Sequence, residues 1–97
     1  MSAGYDPSTQ ACVLTGAVAR ARVVSDEFNW GDSDKYGELE ESFKSMIETA
    51  EGMAQLPPEI AKAMQASAYA CITALNEFSA DFEMMMDRVP GLRREPA

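Results

Sequence analysis

The chain contains no histidine. That removes the side chain whose charge changes nearest neutral pH and the commonest protein ligand of zinc, so a Ser-His or Cys-His nucleophile pair is excluded. Cysteine is scarce as well: Cys12 and Cys71 are far apart, lack CxxC spacing, and are too few for a disulfide framework or a structural zinc site. Both are expected to be buried thiols. The six glycines make neither a GxGxxG nor a Walker pattern, so no phosphate-cradling loop is encoded. Carboxylates remain as candidate acid/base groups, but they fall where helices face water and nothing marks a cleft that raises a carboxyl pKa. A non-enzymatic protein with no cofactor and no metal is expected.

Positive charge is the next scarcity. Eight Lys and Arg stand against sixteen Asp and Glu, giving a net charge of -8 and a pI near 4.3. Nucleic acid and anionic membranes are bound through basic surfaces that displace counterions or pair with phosphates, so direct binding to either is not expected. A protein partner with a basic surface is the electrostatic complement. No apolar run approaches the ~20 residues of a transmembrane helix. The start, MSAGYDPSTQ, has neither the basic nor the apolar region of an export signal. The expected compartment is the cytoplasm.

What is present is helical periodicity over a length suited to one domain, residues 1–97. Asp6-Pro7 is a helix start, and Leu14, Ala17, Ala21, Val24 and Phe28 recur at spacings of three and four, predicting a first helix from about 7 to 28. Arg20 and Arg22 fall off that stripe. Leu39, Phe43, Met46, Ala50 and Met53, widened by Ile47 and Ala54, predict a second helix over about 34–55. Leu56-Pro57-Pro58-Glu59 punctuates the chain, since the residue before proline avoids helical geometry while a proline opens a helix well. Beyond it Ile60, Met64, Ser67, Cys71, Leu75, Phe78, Phe82, Met85 and Val89 mark a third helix over about 58–89, and Pro90-Gly91 begins a frayed tail, 90–97.

The fold class so predicted is all-α, a small three-helix antiparallel bundle with a long C-terminal helix. Its expected core is Leu14, Val18, Ala21, Val24, Phe28, Leu39, Phe43, Met46, Ile47, Ile60, Met64, Cys71, Leu75, Phe78 and Phe82. At ~1.5 Å per residue the third helix outreaches the other two. It must bend near the small-residue stretch AMQASAYA or project beyond its neighbours.

The first turn, NWGDSDKYG, raises three alternatives. Asp32, Asp34, Tyr36, Gly37 and Leu39 stand at positions one, three, five, six and eight of an EF-hand register, which makes a weak calcium-binding helical protein one alternative, but position five is aromatic and position twelve is Phe43 rather than a bidentate Glu. Asp32 and Asp34 are otherwise helix caps, and Trp30 closes the end of the core with its indole N–H near water. Trp30 and Gly31 at a helix-helix turn also resemble the small hairpin proteins exported by type VII secretion, whose turn carries Trp-x-Gly. The resemblance covers this turn and its flanking helices and implies a homo- or heterodimer. Here Trp and Gly are adjacent, and Pro57-Pro58 interrupts the second helix.

Acids are concentrated. Residues 26–51 hold nine of the sixteen (Asp26, Glu27, Asp32, Asp34, Glu38, Glu40, Glu41, Glu48 and Glu51) against Lys35 and Lys44. The expected partner-binding face is Asp32, Asp34, Glu38, Glu41, Glu48 and Glu51. A small acidic helical protein of this character suits an inhibitor or adaptor docking on a basic groove, one that otherwise tracks a nucleic-acid backbone included, as phage-encoded inhibitors of bacterial defence nucleases do. A second candidate surface is FEMMMDRV, with Phe82, Met84, Met85 and Met86 as an apolar docking or dimer patch. Tyr36 and Tyr69 are expected at the boundary with wet hydroxyls.

Overall fold

Proline at the first-turn position starts α1 (Pro7–Glu27), whose stripe of Leu14, Ala17, Val18, Ala21, Val24 and Phe28 is buried as its spacing predicts. The computed structural model describes residues 7–31 and 33–94; the caps expected at Asp6 and Asp32 lie outside them. After the turn come α2 (Ser33–Ala54), α3 (Pro58–Ala63) and α4 (Gln65–Arg88). The result is an all-α bundle with a long C-terminal helix, drawn out to 45 × 24 × 22 Å. The three long helices run up, down and up. α1 packs broadly on both α2 and α4, whereas those two meet each other over a smaller surface.

The third predicted helix divides into α3 and α4 at Met64, the start of the small-residue stretch. Met64 has φ -101° and ψ 19°, off the helical geometry on either side, yet its N–H still donates to the Ile60 carbonyl and its own carbonyl accepts from Ala68 N–H. The axis bends rather than ends. No residue of α3 is buried, so packing does not hold it in line with α4. At the bend the buried Gln10 side chain donates from Nε2 to the Gln65 carbonyl at 3.0 Å. A side chain inserted at the backbone ladder is a recognised cause of such a bend.

On α4 Leu75 and Phe82 of the predicted stripe are buried, but the other buried residues, Ala68, Ile72, Ser79 and Met86, each lie one position beyond Ser67, Cys71, Phe78 and Met85. Ile60 lies before the bend, in α3, which buries no residue, and Met64 lies at it. Ile60, 48% exposed, and Met64 are therefore open rather than core. Leu39 is 38% exposed, while Met46, Cys71 and Phe78 are half-buried at the core's edge. Cys12 is exposed, so neither cysteine is the buried thiol its residue type suggested.

Six rings fill the end of the core near the first turn. Phe82 is the hub, with ring centroids 4.7 Å from Phe28, 5.2 Å from Trp30, 5.2 Å from Phe43 and 5.8 Å from Phe78. Tyr36 joins edge-on to Phe28 at 5.2 Å and is buried, not a boundary residue. Each fully buried ring is worth ~1.5–3 kcal/mol of transfer free energy, so this cluster anchors the bundle.

Candidate functional site

Asp34, Glu38, Glu41 and Glu48 follow one another on α2 at spacings of four, three and seven, which places them on one side of the helix. Tyr36, Phe43, Ile47 and Ala50 are buried on the other. All four acids are exposed, and among the described residues none has an ion-pair or hydrogen-bond partner for its carboxylate. The remaining acids of the helix behave differently. Glu40 meets Lys44 at 2.9 Å, and Glu51 meets Arg22 of α1 at 2.8 Å. Glu51 thus belongs to the α1–α2 junction and not to the open face, and Asp32 lies outside the described residues.

The contrast has an electrostatic consequence. Asp34 and Glu38 are four residues apart, and Glu38 and Glu41 three, spacings at which like charges destabilise a helix by ~0.2–0.5 kcal/mol per pair. The only bases on α2, Lys35 and Lys44, are turned elsewhere: the Lys35 ammonium lies 5.4 Å over the Tyr36 ring, and Lys44 is held by Glu40. The outer face of α2 is therefore a strip of uncompensated negative charge about four turns long.

The surface grooves between the helices are shallow. One of about 160 Å³ between α1 and α2 is lined by Arg22, Ser25, Asp26, Lys44, Ile47 and Glu48, so its charges are mixed. Another of about 260 Å³ between α1 and α4 has Val23, Val24 and Met86 as its floor, with the Arg20–Glu83 and Arg93–Glu27 ion pairs at its rim. Among the described residues no three His, Cys, Asp or Glu are placed to hold a metal ion.

FEMMMDRV does not form one surface. Phe82 (2% exposed) and Met86 are inside the chain's own core, Met85 is at its edge, and Met84 (49% exposed) points outward. Consecutive residues of a helix are spread around its axis, so an apolar triplet cannot all serve one patch. Phe82 and Met86 are accordingly core residues, not a docking or dimer patch.

The turn is built by Asn29. Its Oδ1 accepts from Gly31 N–H at 3.1 Å, a side-chain mimic of a backbone turn, and a Cβ at Gly31 would stand 3.0 Å from that same oxygen. Trp30 Nε1–H donates to the Ser25 carbonyl at 2.7 Å, so the indole is satisfied inside the protein rather than by water. α1 and α2 do form a hairpin with Trp30 at its turn, but the ring is committed to Phe28, Tyr36 and Phe82. Asp34 through Phe43 lie within α2, where a helical backbone cannot wrap around an ion, and Phe43 is fully buried.

Sequence patterns missed the other half of this joint. Residues 92–94 return to the turn instead of fraying: Asn29 N–H donates to the Leu92 carbonyl at 2.8 Å, Arg94 N–H to the Glu27 carbonyl, and Asn29 Nδ2 to the Gly91 carbonyl at 3.2 Å. Arg93 bridges Glu27 at 3.0 Å and Asp87 at 3.2 Å. The signal was Pro90-Gly91 itself. Gly91 has φ +89°, the third position of a turn that proline opens, and such a turn sends the chain back. Compared with known proteins, the chain matches no protein-family model, no curated protein and no solved structure. Among the described residues no helix is long and apolar enough to cross a membrane.

Proposed function

We propose that the protein is a non-enzymatic binding module that sets the outer face of α2 against a basic surface of a protein partner and acts there as an inhibitor or adaptor. The observation that carries this is the separation of acids on one helix: Glu40 and Glu51 are neutralised within the fold, while Asp34, Glu38, Glu41 and Glu48 are aligned outward with no partner among the described residues. A surface held at like-charge spacing costs stability, and a basic partner would recover it. A groove that tracks a nucleic-acid backbone focuses positive potential and is the kind of site such a strip would block. In that form the protein competes with nucleic acid without binding it.

The test is capture from host extract on immobilised protein, washed with rising salt. Wild type should retain a basic protein that leaves as salt rises, because exposed charge pairs are screened. A variant carrying Asp34→Asn, Glu38→Gln, Glu41→Gln and Glu48→Gln should retain far less of it with an unchanged circular dichroism spectrum. Equal retention by both proteins contradicts the proposal.

A further inference from the structure

Two rows of apolar residues spaced seven apart remain unfinished. Leu39, Met46 and Met53 follow one edge of α2, and Met64, Cys71, Phe78 and Met85 follow one edge of the α3–α4 limb. Every member is half-buried or more exposed than that, none fully buried, although seven-residue spacing is the pattern of a helix seam. The rows border the same seam: the Phe43 and Phe78 rings are 5.6 Å apart, and Met53 and Met64 line one small cavity. α1 packs on both α2 and α4, those two meet each other over a smaller surface, and among the described residues these rows keep a partly exposed edge. Four of the chain's seven methionines lie here, the residue type best able to repack on a partner.

The charge around the seam selects its occupant. Beside its middle the exposed residues are Ser42 and Thr49 on α2 and Ser67 and Ala70 on α4, small and uncharged in a chain that is one-quarter charged. Loss of charge at the centre distinguishes the core of an interface from ordinary surface. Charge gathers toward one end, with Lys35 and Glu38 on α2 and Glu77, Asp81 and Arg88 on α4. A foreign basic helix would need acids along the whole seam, and the middle offers none. A second copy turned end for end meets both conditions, because its uncharged middle lies on this one and the two charged ends fall at opposite ends of the joint.

We infer that the α2–α4 seam is a self-association surface on which a second copy of this chain docks about a two-fold axis near Met46 and Cys71. The two copies then supply four apolar rows to one four-helix core, with each α1 on the outside. A two-fold contact of this kind is self-complementary and closes at two. Asp34, Glu41 and Glu48 stay outside the joint and Glu38 borders its end, so substitutions at Thr49 and Ala70 test the joint without altering the proposed acidic face.

Sedimentation equilibrium of the full chain over micromolar to millimolar concentrations tests it. Wild type should move reversibly from the 10.6 kDa monomer to twice that mass. Thr49→Glu with Ala70→Glu, both exposed in the monomer, should weaken association roughly tenfold or more while leaving the helical spectrum unchanged, since like charges are brought together across the axis. In a Cys12→Ser background, a short bifunctional maleimide should join two chains through Cys71, and Cys71→Ser should abolish the product. A wild type that stays monomeric throughout overturns the inference, as does a Thr49→Glu/Ala70→Glu variant that dimerises like wild type.

Discussion

Replacing Phe82 by alanine removes the ring through which α4 holds α1, the first turn and α2 together. It is buried and contacts Phe28, Trp30, Phe43 and Phe78, one ring or more from each neighbouring segment. Truncating a buried phenylalanine costs about 3–5 kcal/mol through lost transfer free energy and the cavity left behind. Four rings bordering that cavity cannot all collapse into it, which places Phe82→Ala toward the upper end. Domains of this size are stable by about 5–15 kcal/mol, so the loss is a third or more of the total. With a urea dependence of about 2 kcal/mol per molar, the unfolding midpoint should fall by about 2 M. Helical circular dichroism follows the bundle and Trp30 fluorescence follows the cluster, and both should report the same shift. Met84→Ala, two residues away on the outside of the same helix, should change stability by less than about 0.5 kcal/mol. A loss below about 1 kcal/mol for Phe82→Ala, or an equal loss for Met84→Ala, would refute the aromatic hub.

Other expectations follow from single features. Ser79 Oγ is buried with no hydrogen-bond partner among the described residues, so Ser79→Ala should raise stability by about 1 kcal/mol in the same urea titration; a loss would mean the hydroxyl is satisfied. Deleting residues 92–97 removes the backbone bonds to Glu27 and Asn29, and should lower stability by about 1–3 kcal/mol with a change in Trp30 emission, whereas a frayed tail would leave both unchanged. Glu38→Gln should stabilise the monomer by about 0.2–0.5 kcal/mol at low salt and by less at high salt, since it relieves repulsion with Asp34 and Glu41. Gly91→Ala should cost about 1 kcal/mol, because φ +89° is strained for any residue with a Cβ.

Local pattern carried the fold class and the whole of α1, where one stripe from Leu14 to Phe28 packs against both neighbours without interruption. It failed where geometry is set from a distance. The small-residue stretch AMQASAYA marked where the third helix could bend, but not that it bends at Met64 rather than projecting; the Gln10 amide that meets the bend comes from the other end of the bundle's sequence, and beyond it Met86 rather than Met85 is fully buried. The acidic face was legible as a concentration of charge, but not which acids are free. Glu51 is drawn away by Arg22, a contact that depends on how α1 lies against α2. Asn29, with bonds to both Gly31 and the returning tail, looked like any turn residue because its second partner lies 62 positions later.

The most direct test of the acidic face is the salt dependence of binding to the captured partner, measured for wild type and for the variant neutralised at Asp34, Glu38, Glu41 and Glu48. Wild-type affinity should fall steeply as salt rises. The neutralised protein should bind more weakly at low salt and with a much flatter slope, the two curves converging at high salt. Identical slopes for the two proteins would mean that the partner does not touch this face.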